Sequence, residues 1–293
     1  MKRKLLIGIL IVGMFVFCGC MSGFMGVPKQ QENKETFGIT SLSLEEFEDR
    51  EYGQVYCGEV KPVNKQETIS YHHKETLEYE INGNLPKYVG TLESRNCATV
   101  AGCILIGYYD RFCENLMPNF KSYIQLGSII RYKGMEEEVM AVLTQLGPLM
   151  GTNIGHEGTT FSGFQEGIKK YSEKCGYEYQ SENLMSGNKI NFEKCKVSID
   201  GGTPIAIFLS TYAYLDEIQK KDNTDTIVSA YYDVSHVVVG CGYRQDIYYN
   251  ASGQVIAMRE YIKVASGQSD HGICYLNINS IGDIDRVIAA KIS

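Results

Sequence analysis

The sequence lacks the features of three common classes of protein. None of its 10 cysteines forms a CxxC pair, so a structural zinc site is poorly supported and we expect no metal or other cofactor. Its 28 Lys and Arg are outnumbered by 35 Asp and Glu, which argues against a nucleic-acid partner because phosphate binding needs a basic face. The apolar run of residues 5–17 is shorter than the roughly 20 residues that span a bilayer as a helix.

Residues 1–20 predict a signal peptide of the lipoprotein type. Lys2, Arg3 and Lys4 precede the apolar run, whose length lies inside the roughly 7–15 residues of a signal-peptide core. The Gly-Cys pair that follows resembles a bacterial lipobox and makes Cys20 the candidate lipidated residue, with cleavage and release as the alternative. We therefore expect an extracytoplasmic chain, anchored to the outer face of the cell membrane or secreted. Removal of this segment makes the chain more acidic than the net charge of −7 of the full sequence.

The rest of the chain predicts one main domain, because 293 residues with 44% hydrophobic composition can bury a single sizeable core. Residues 21–40 are predicted to be a flexible linker. Residues 41–85 form an N-terminal extension with short strands, whose role as an inhibitor-like prosegment, a lobe extension or a partner surface stays open. A turn signal at residues 82–84 leads into the main domain, residues 86–293.

Residues 96–112 predict a helix that presents a cysteine at its start. Apolar residues recur there at helical spacing, and Asn96 is a good N-cap, so Cys97 falls in the first turn. Unpaired amides and the positive end of the helix dipole at that place favour thiolate over thiol and are suited to stabilising an oxyanion. For a cysteine taken alone, a buried structural thiol is the alternative, and several other cysteines lie on apolar stripes that predict such burial.

A second feature is a histidine at the mouth of a β-branched run. His236 opens the sequence HVVVGCGY, which predicts a buried strand, with neighbouring strands at residues 205–209 and 260–265. A helix followed by such strands is the α+β pattern. The separation of Cys97 and His236 lies inside the roughly 130–150 residues between nucleophile and base in papain-type enzymes. For the histidine alone, a hydrogen-bonded core residue is the alternative.

Together these segments resemble the papain-superfamily bacterial peptidases related to the double-glycine leader (bacteriocin-processing) peptidases. The resemblance rests on NCATVAGCILIGYY at residues 96–109, GTTFSGF at residues 158–164 and SHVVVGCGY at residues 235–243 after a Gly-x-Pro strand, and it covers roughly residues 88–292. It implies a two-lobed papain-like fold, a helical lobe packed on an antiparallel sheet lobe with the active cleft between them. It also implies Cys97 as nucleophile and His236 as base.

The sequence departs from that family at two places. No Gln stands about six residues before Cys97, so Asn96, Ser94 or the Cys97 backbone N–H are the candidate oxyanion donors. For the group that orients the imidazole, Ser266 is at the expected place but is a poor substitute for a carboxylate, whereas Asp270 has the chemistry but lies later in the loop.

His156 lies on a loop that is a candidate border of the cleft and substrate contact. The resulting hypothesis is an extracytoplasmic cysteine peptidase that hydrolyses peptide or amide bonds of a peptide or protein substrate through a Cys-His pair. One alternative is a catalytically inactive papain-like surface lipoprotein that binds peptide or cell-wall fragments. Another keeps the nucleophile but transfers acyl groups or hydrolyses amides on peptidoglycan stems.

Overall fold

The computed structural model describes residues 36–37, 62–90, 95–155, 158–269, 271–280 and 284–293. All of them belong to one compact unit, Lys34–Ser293. The predicted signal peptide with Cys20, nearly all of the predicted linker and the first part of the extension lie outside the described residues. Among the helices of the described residues, none has the length and apolar character needed to cross a membrane.

The fold is α+β, as predicted from the order of helix and strand signals. The described residues contain four helices: α1 (Cys97–Tyr109), α2 (Glu137–Met150), α3 (Phe161–Lys174) and α4 (Phe192–Asp200). They also contain these strands: β1 (Thr36–Phe37), β2 (Val63–Ser70), β3 (His73–Glu80), β4 (Tyr123–Leu126), β5 (Ile129–Tyr132), β6 (Thr159–Thr160), β7 (Tyr179–Asn183), β8 (Met185–Ser186), β9 (Lys189–Ile190), β10 (Ile205–Leu209), β11 (Tyr212–Lys221), β12 (Thr224–Tyr232), β13 (His236–Tyr249), β14 (Val255–Ala265), β15 (Ile273–Asn277) and β16 (Ile284–Ile292).

One large antiparallel sheet organises the fold. Its ten strands run in the order β2-β12-β11-β15-β14-β13-β10-β16-β7, with β3 paired to β13. The register of β13 against β14 shifts between Gly240 and Gly242. On its other edge, β13 pairs with β10 before this bulge and with β3 after it. The bulge therefore lets one long strand serve two neighbours on the same edge.

Helix α1 is the centre of the core. All 13 of its residues are buried, so it is apolar on every side rather than along the single face that its spacing predicted. It packs against β13 and against helices α2 and α3. A helix that is covered all round is fixed in position, and its first residue, Cys97, is fixed with it.

Two strands of the predicted N-terminal extension are part of the large sheet. Strand β2 pairs with β12 and strand β3 pairs with β13. The two residues between these strands are also hydrogen-bonded to the rest of the sheet. Tyr71 N donates to Asn223 O and His72 N donates to Tyr249 O, each at 2.8 Å. The predicted turn at residues 82–84 follows directly and has left-handed backbone at Gly83 and Asn84.

A buried ion cluster ties this extension to the sheet. Lys74 Nζ lies 2.7 Å from Asp225 Oδ2 and 3.0 Å from Asp246 Oδ2. Arg244 also binds Asp246, and Tyr71 OH donates to Asp225. The two carboxylates are fully buried. Because each charge is paired and hydrogen-bonded, the cluster avoids the large cost of an isolated buried ion.

Removal of the lysine charge tests this cluster. We expect Lys74→Met to destabilise the fold by about 3–5 kcal/mol, because it leaves buried carboxylate charge without its partner. The matched control is Lys170→Met, which breaks an exposed i,i+4 pair with Glu166 and should cost less than about 0.5 kcal/mol. Urea unfolding measures the stability of both variants. Equal losses of unfolding free energy would contradict the stabilising role that we give to the cluster.

The same cluster predicts how stability depends on pH. Burial by itself would raise the pKa of Asp225, but hydrogen bonds from Lys74, Tyr71 and Tyr248 outweigh it and hold the pKa below its ordinary value of 3.8. A carboxyl with a lowered folded-state pKa adds stability above its unfolded pKa and loses it as the pH falls through the folded pKa. We therefore expect unfolding free energy to decline below about pH 4, with a shallower decline in Asp225→Asn. An unchanged slope in that variant would be the contrary result.

Candidate active site

Cys97 is the first residue of α1 and carries a thiol, with 8% of its surface exposed. Asn96 occupies the N-cap position as predicted, but its side chain makes no capping hydrogen bond. Its Oδ1 instead lies against Gly90, 2.9 Å from the place where a Cβ on that glycine would stand. The Asn96 side chain therefore does not cap the first helical amides, which lie beside the thiol.

His236 is the first residue of β13 and is paired with Leu209 at the end of β10. Only 1% of its surface is exposed. Its Nε2 lies 2.7 Å from the main-chain oxygen of Ser266. A carbonyl oxygen can only accept, so the proton must be on Nε2, and Nδ1 is the basic nitrogen of the neutral ring.

The group of Ser266 that holds the imidazole is its backbone carbonyl rather than its hydroxyl. The Ser266 side chain is turned to its own loop, where Oγ accepts a hydrogen bond from Gln268 N at 3.1 Å. A carbonyl carries no charge, but it fixes the tautomer and the ring plane as a carboxylate or an amide would. The predicted position is thus occupied by a main-chain acceptor.

The loop that follows β14 contacts both the histidine and the helix. Gly267 has φ +72°, and a Cβ there would lie 3.2 Å from Val100 Cγ1, one turn along α1 from the thiol. The Gly267 carbonyl accepts a hydrogen bond from Gly90 N at 3.0 Å. One short loop therefore positions His236, the first turn of α1 and the segment that leads to Cys97.

Three predicted site residues, Ser94, His156 and Asp270, lie outside the described residues. Described residues on either side of His156 are nevertheless linked to α1 by hydrogen bonds. Thr99 in the first turn of α1 lies 2.8 Å, oxygen to oxygen, from Thr152, which lies 2.7 Å from Thr159.

Sequence reasoning missed a group of aromatic side chains next to His236. The Tyr212 ring lies 5.5 Å from the imidazole, centroid to centroid, and stacks on Tyr232 at 4.9 Å. Tyr232 OH is in turn hydrogen-bonded to His271 Nε2 at 2.7 Å. The sequence signal for this group was His271, which lies in the same loop as Ser266.

Burial disfavours the thiolate form of three other cysteines. It raises the pKa of the Cys195 and Cys241 thiols to about 12 and raises that of Cys103 still further. These thiols stay protonated at neutral pH. Within the described ranges, no group of three or more His, Cys, Asp and Glu side chains is arranged to hold a metal ion.

No protein family matches the chain, and no curated protein or solved structure matches it significantly.

The Gly267 contact with α1 gives a test of the site. We expect Gly267→Ala to lower the rate of Cys97 alkylation at pH 7 about tenfold, because a methyl group against Val100 displaces the carbonyl that holds His236, and a hydrogen bond to a charged group is worth about 1.5–3 kcal/mol. Iodoacetamide kinetics measure this rate.

The control is Gly253→Ala, which has a similar φ of +78° but nothing within 4 Å of the new methyl group. Both variants should lose about 1–2 kcal/mol of stability from left-handed backbone strain. Only the Gly267 variant should lose thiol reactivity, and equal reactivity in the two variants would refute the role of the loop.

Proposed function

We propose that this chain is an extracytoplasmic cysteine peptidase with Cys97 as nucleophile and His236 as base. The observation that carries the proposal is the 2.7 Å contact between His236 Nε2 and the Ser266 carbonyl. An oriented imidazole with Nδ1 as its basic nitrogen is what a thiol nucleophile requires of its partner. The thiol at the start of a buried helix supplies the other half of the pair.

The fold class and chain order support a papain-like arrangement. The nucleophile helix belongs to the helical part, α1 to α3, and the histidine opens a strand of the antiparallel sheet. We propose that these parts are the two lobes of a papain-like domain related to the double-glycine leader peptidases. We further propose that Cys20 is lipidated and anchors the chain to the outer face of the cell membrane.

The proposed reaction proceeds in two stages. The Cys97 thiolate attacks the carbonyl carbon of a peptide or amide bond, and the helix amides beside it stabilise the oxyanion. Protonated His236 gives its proton to the leaving amine, which departs and leaves a thioester on Cys97. His236 Nδ1 then takes a proton from water, and the resulting hydroxide equivalent hydrolyses the thioester. The Ser266 carbonyl accepts from Nε2–H throughout.

The alternative of an inactive binding module turns on whether Ser266 or Asp270 lies within hydrogen-bond reach of His236. The Ser266 carbonyl lies within that reach, and its contact therefore favours the active enzyme. The peptide, protein or peptidoglycan nature of the substrate is set by the cleft surface rather than by the Cys-His pair.

Selective alkylation of the full chain tests the proposal without a known substrate. We expect iodoacetamide at pH 7 to modify Cys97 before the buried Cys103, Cys195 and Cys241, as mapped by peptide mass spectrometry, because the start of a helix favours its thiolate and burial keeps the other three thiols protonated. His236→Gln should slow this modification, whereas Cys195→Ala, which removes a buried thiol, should leave it unchanged.

Hydrolysis is measured on a mixture of unstructured peptides. Cys97→Ala should abolish cleavage, and His236→Gln should lower kcat/KM by about 10²–10⁴-fold, the range for general acid–base catalysis. Cleavage that persists in Cys97→Ala, or a Cys97 that stays unmodified in the folded protein, would rule out the nucleophile.

A further inference from the structure

An aromatic stack lies against the imidazole of His236. Tyr212, the first residue of β11, is fully buried, and its ring is inclined by 32° to the imidazole at a centroid distance of 5.5 Å. Tyr232 lies behind it, nearly parallel at 16° and 4.9 Å. The outer ring thus fixes the plane of the inner one. The Tyr212 and His236 rings are tilted at 32°, closer to parallel than to the perpendicular arrangement of an edge-on contact.

The stack matters because His236 must carry a charge while its side chain is almost fully buried. Its surface is 1% exposed, and burial disfavours imidazolium relative to neutral imidazole. The Ser266 carbonyl helps to stabilise the imidazolium form by accepting a hydrogen bond from Nε2–H. The negative face of an aromatic ring also stabilises a cation within about 6 Å, and it does so more strongly when the cation is desolvated.

Among the described residues, other titratable groups on the surrounding elements include Cys97 on α1, Tyr214 on β11, Tyr232 on β12, His271 on the β14–β15 loop, and Asp285 and Arg286 on β16. Tyr232 and His271 bind one another, and Asp285 Oδ2 accepts from Ser210 Oγ at 2.6 Å. Tyr212 is therefore the aromatic face that bears most directly on the charge of His236.

Tyr212 also contacts the loop whose Ser266 carbonyl binds the histidine. Gln268 Nε2 donates to Tyr212 OH at 3.4 Å, and Gln268 N donates to Ser266 Oγ. The ring and the hydroxyl of this tyrosine thus have separable contacts, one with the imidazole and one with the loop. Substitutions can remove one and keep the other.

We propose that Tyr212 is a positioning residue whose ring face stabilises the imidazolium form of His236, and so the charged Cys97–His236 pair. The inference rests on the proposed function in that it takes His236 as the base. It adds a group that acts through its ring contact with the histidine.

The test is a histidine titration by NMR in the Cys97→Ala background, where no thiol is coupled to the imidazole. The chain has five histidines, and comparison with His236→Gln assigns the resonance. We expect Tyr212→Leu to lower the midpoint of His236 by about one pH unit, a tenfold smaller ratio of imidazolium to imidazole. Tyr212→Phe should titrate like the parent, because it loses the hydroxyl and keeps the ring.

Two controls keep the result unambiguous. Tyr171→Leu removes another fully buried tyrosine, one whose hydroxyl binds Leu116 O beyond the far end of α1, and should leave the midpoint unchanged. Trifluorophenylalanine at position 212 keeps the shape of the ring but weakens its negative face, and should lower the midpoint even if Tyr212→Leu does not fold.

Equal midpoints for phenylalanine and its trifluoro analogue would overturn the proposal. So would a shift in Tyr171→Leu as large as that in Tyr212→Leu. Because the titration needs no substrate and no thiol, it succeeds or fails independently of peptide hydrolysis. A lowered midpoint in a chain that cleaves nothing would support the ring's role while the peptidase proposal failed.

Discussion

The hydrogen bond from His236 Nε2 to the Ser266 carbonyl is the interaction on which the candidate site depends. It decides which ring nitrogen is basic, and it fixes the orientation of an imidazole that is almost fully buried. The loop that supplies the carbonyl is held by the rest of the fold, through Gly267 against Val100 and through Gly90. The orientation of one side chain is thus set by the packing of α1 on the sheet.

Strand β13 joins this site to the opposite part of the sheet. It begins at His236, turns at its bulge and ends beside the ion cluster of Lys74, Asp225 and Asp246. The N-terminal strands β2 and β3 complete that part. A segment expected to be an extension is therefore built into the same sheet that carries the histidine.

The elements with strong local signals could be predicted from the sequence. The helix that begins at Cys97 has a regular apolar pattern, and the strand that begins at His236 has a run of valines. The second half of β13 was not predictable, because a polar and aromatic sequence after a bulge has no single period. Its partner β3 is distant in the chain, and only the folded sheet brings them together.

The candidate site likewise combines residues that the sequence could predict with residues that it could not. Cys97 and His236 carry recognisable chemistry, whereas every residue has a carbonyl, so no pattern could select the one of Ser266. The place of Tyr212 beside His236 depends on how β11 and β13 sit in the sheet, which short-range spacing does not encode.

The use of a main-chain acceptor has a consequence for how such a site can be lost. An orienting aspartate or asparagine disappears with one codon change, but no amino-acid replacement at position 266 deletes a peptide oxygen. Erosion of this site would have to proceed through the loop's shape, by insertion, deletion or a bulkier residue at position 267. Searches that look for three interacting side chains would also overlook an intact site of this kind.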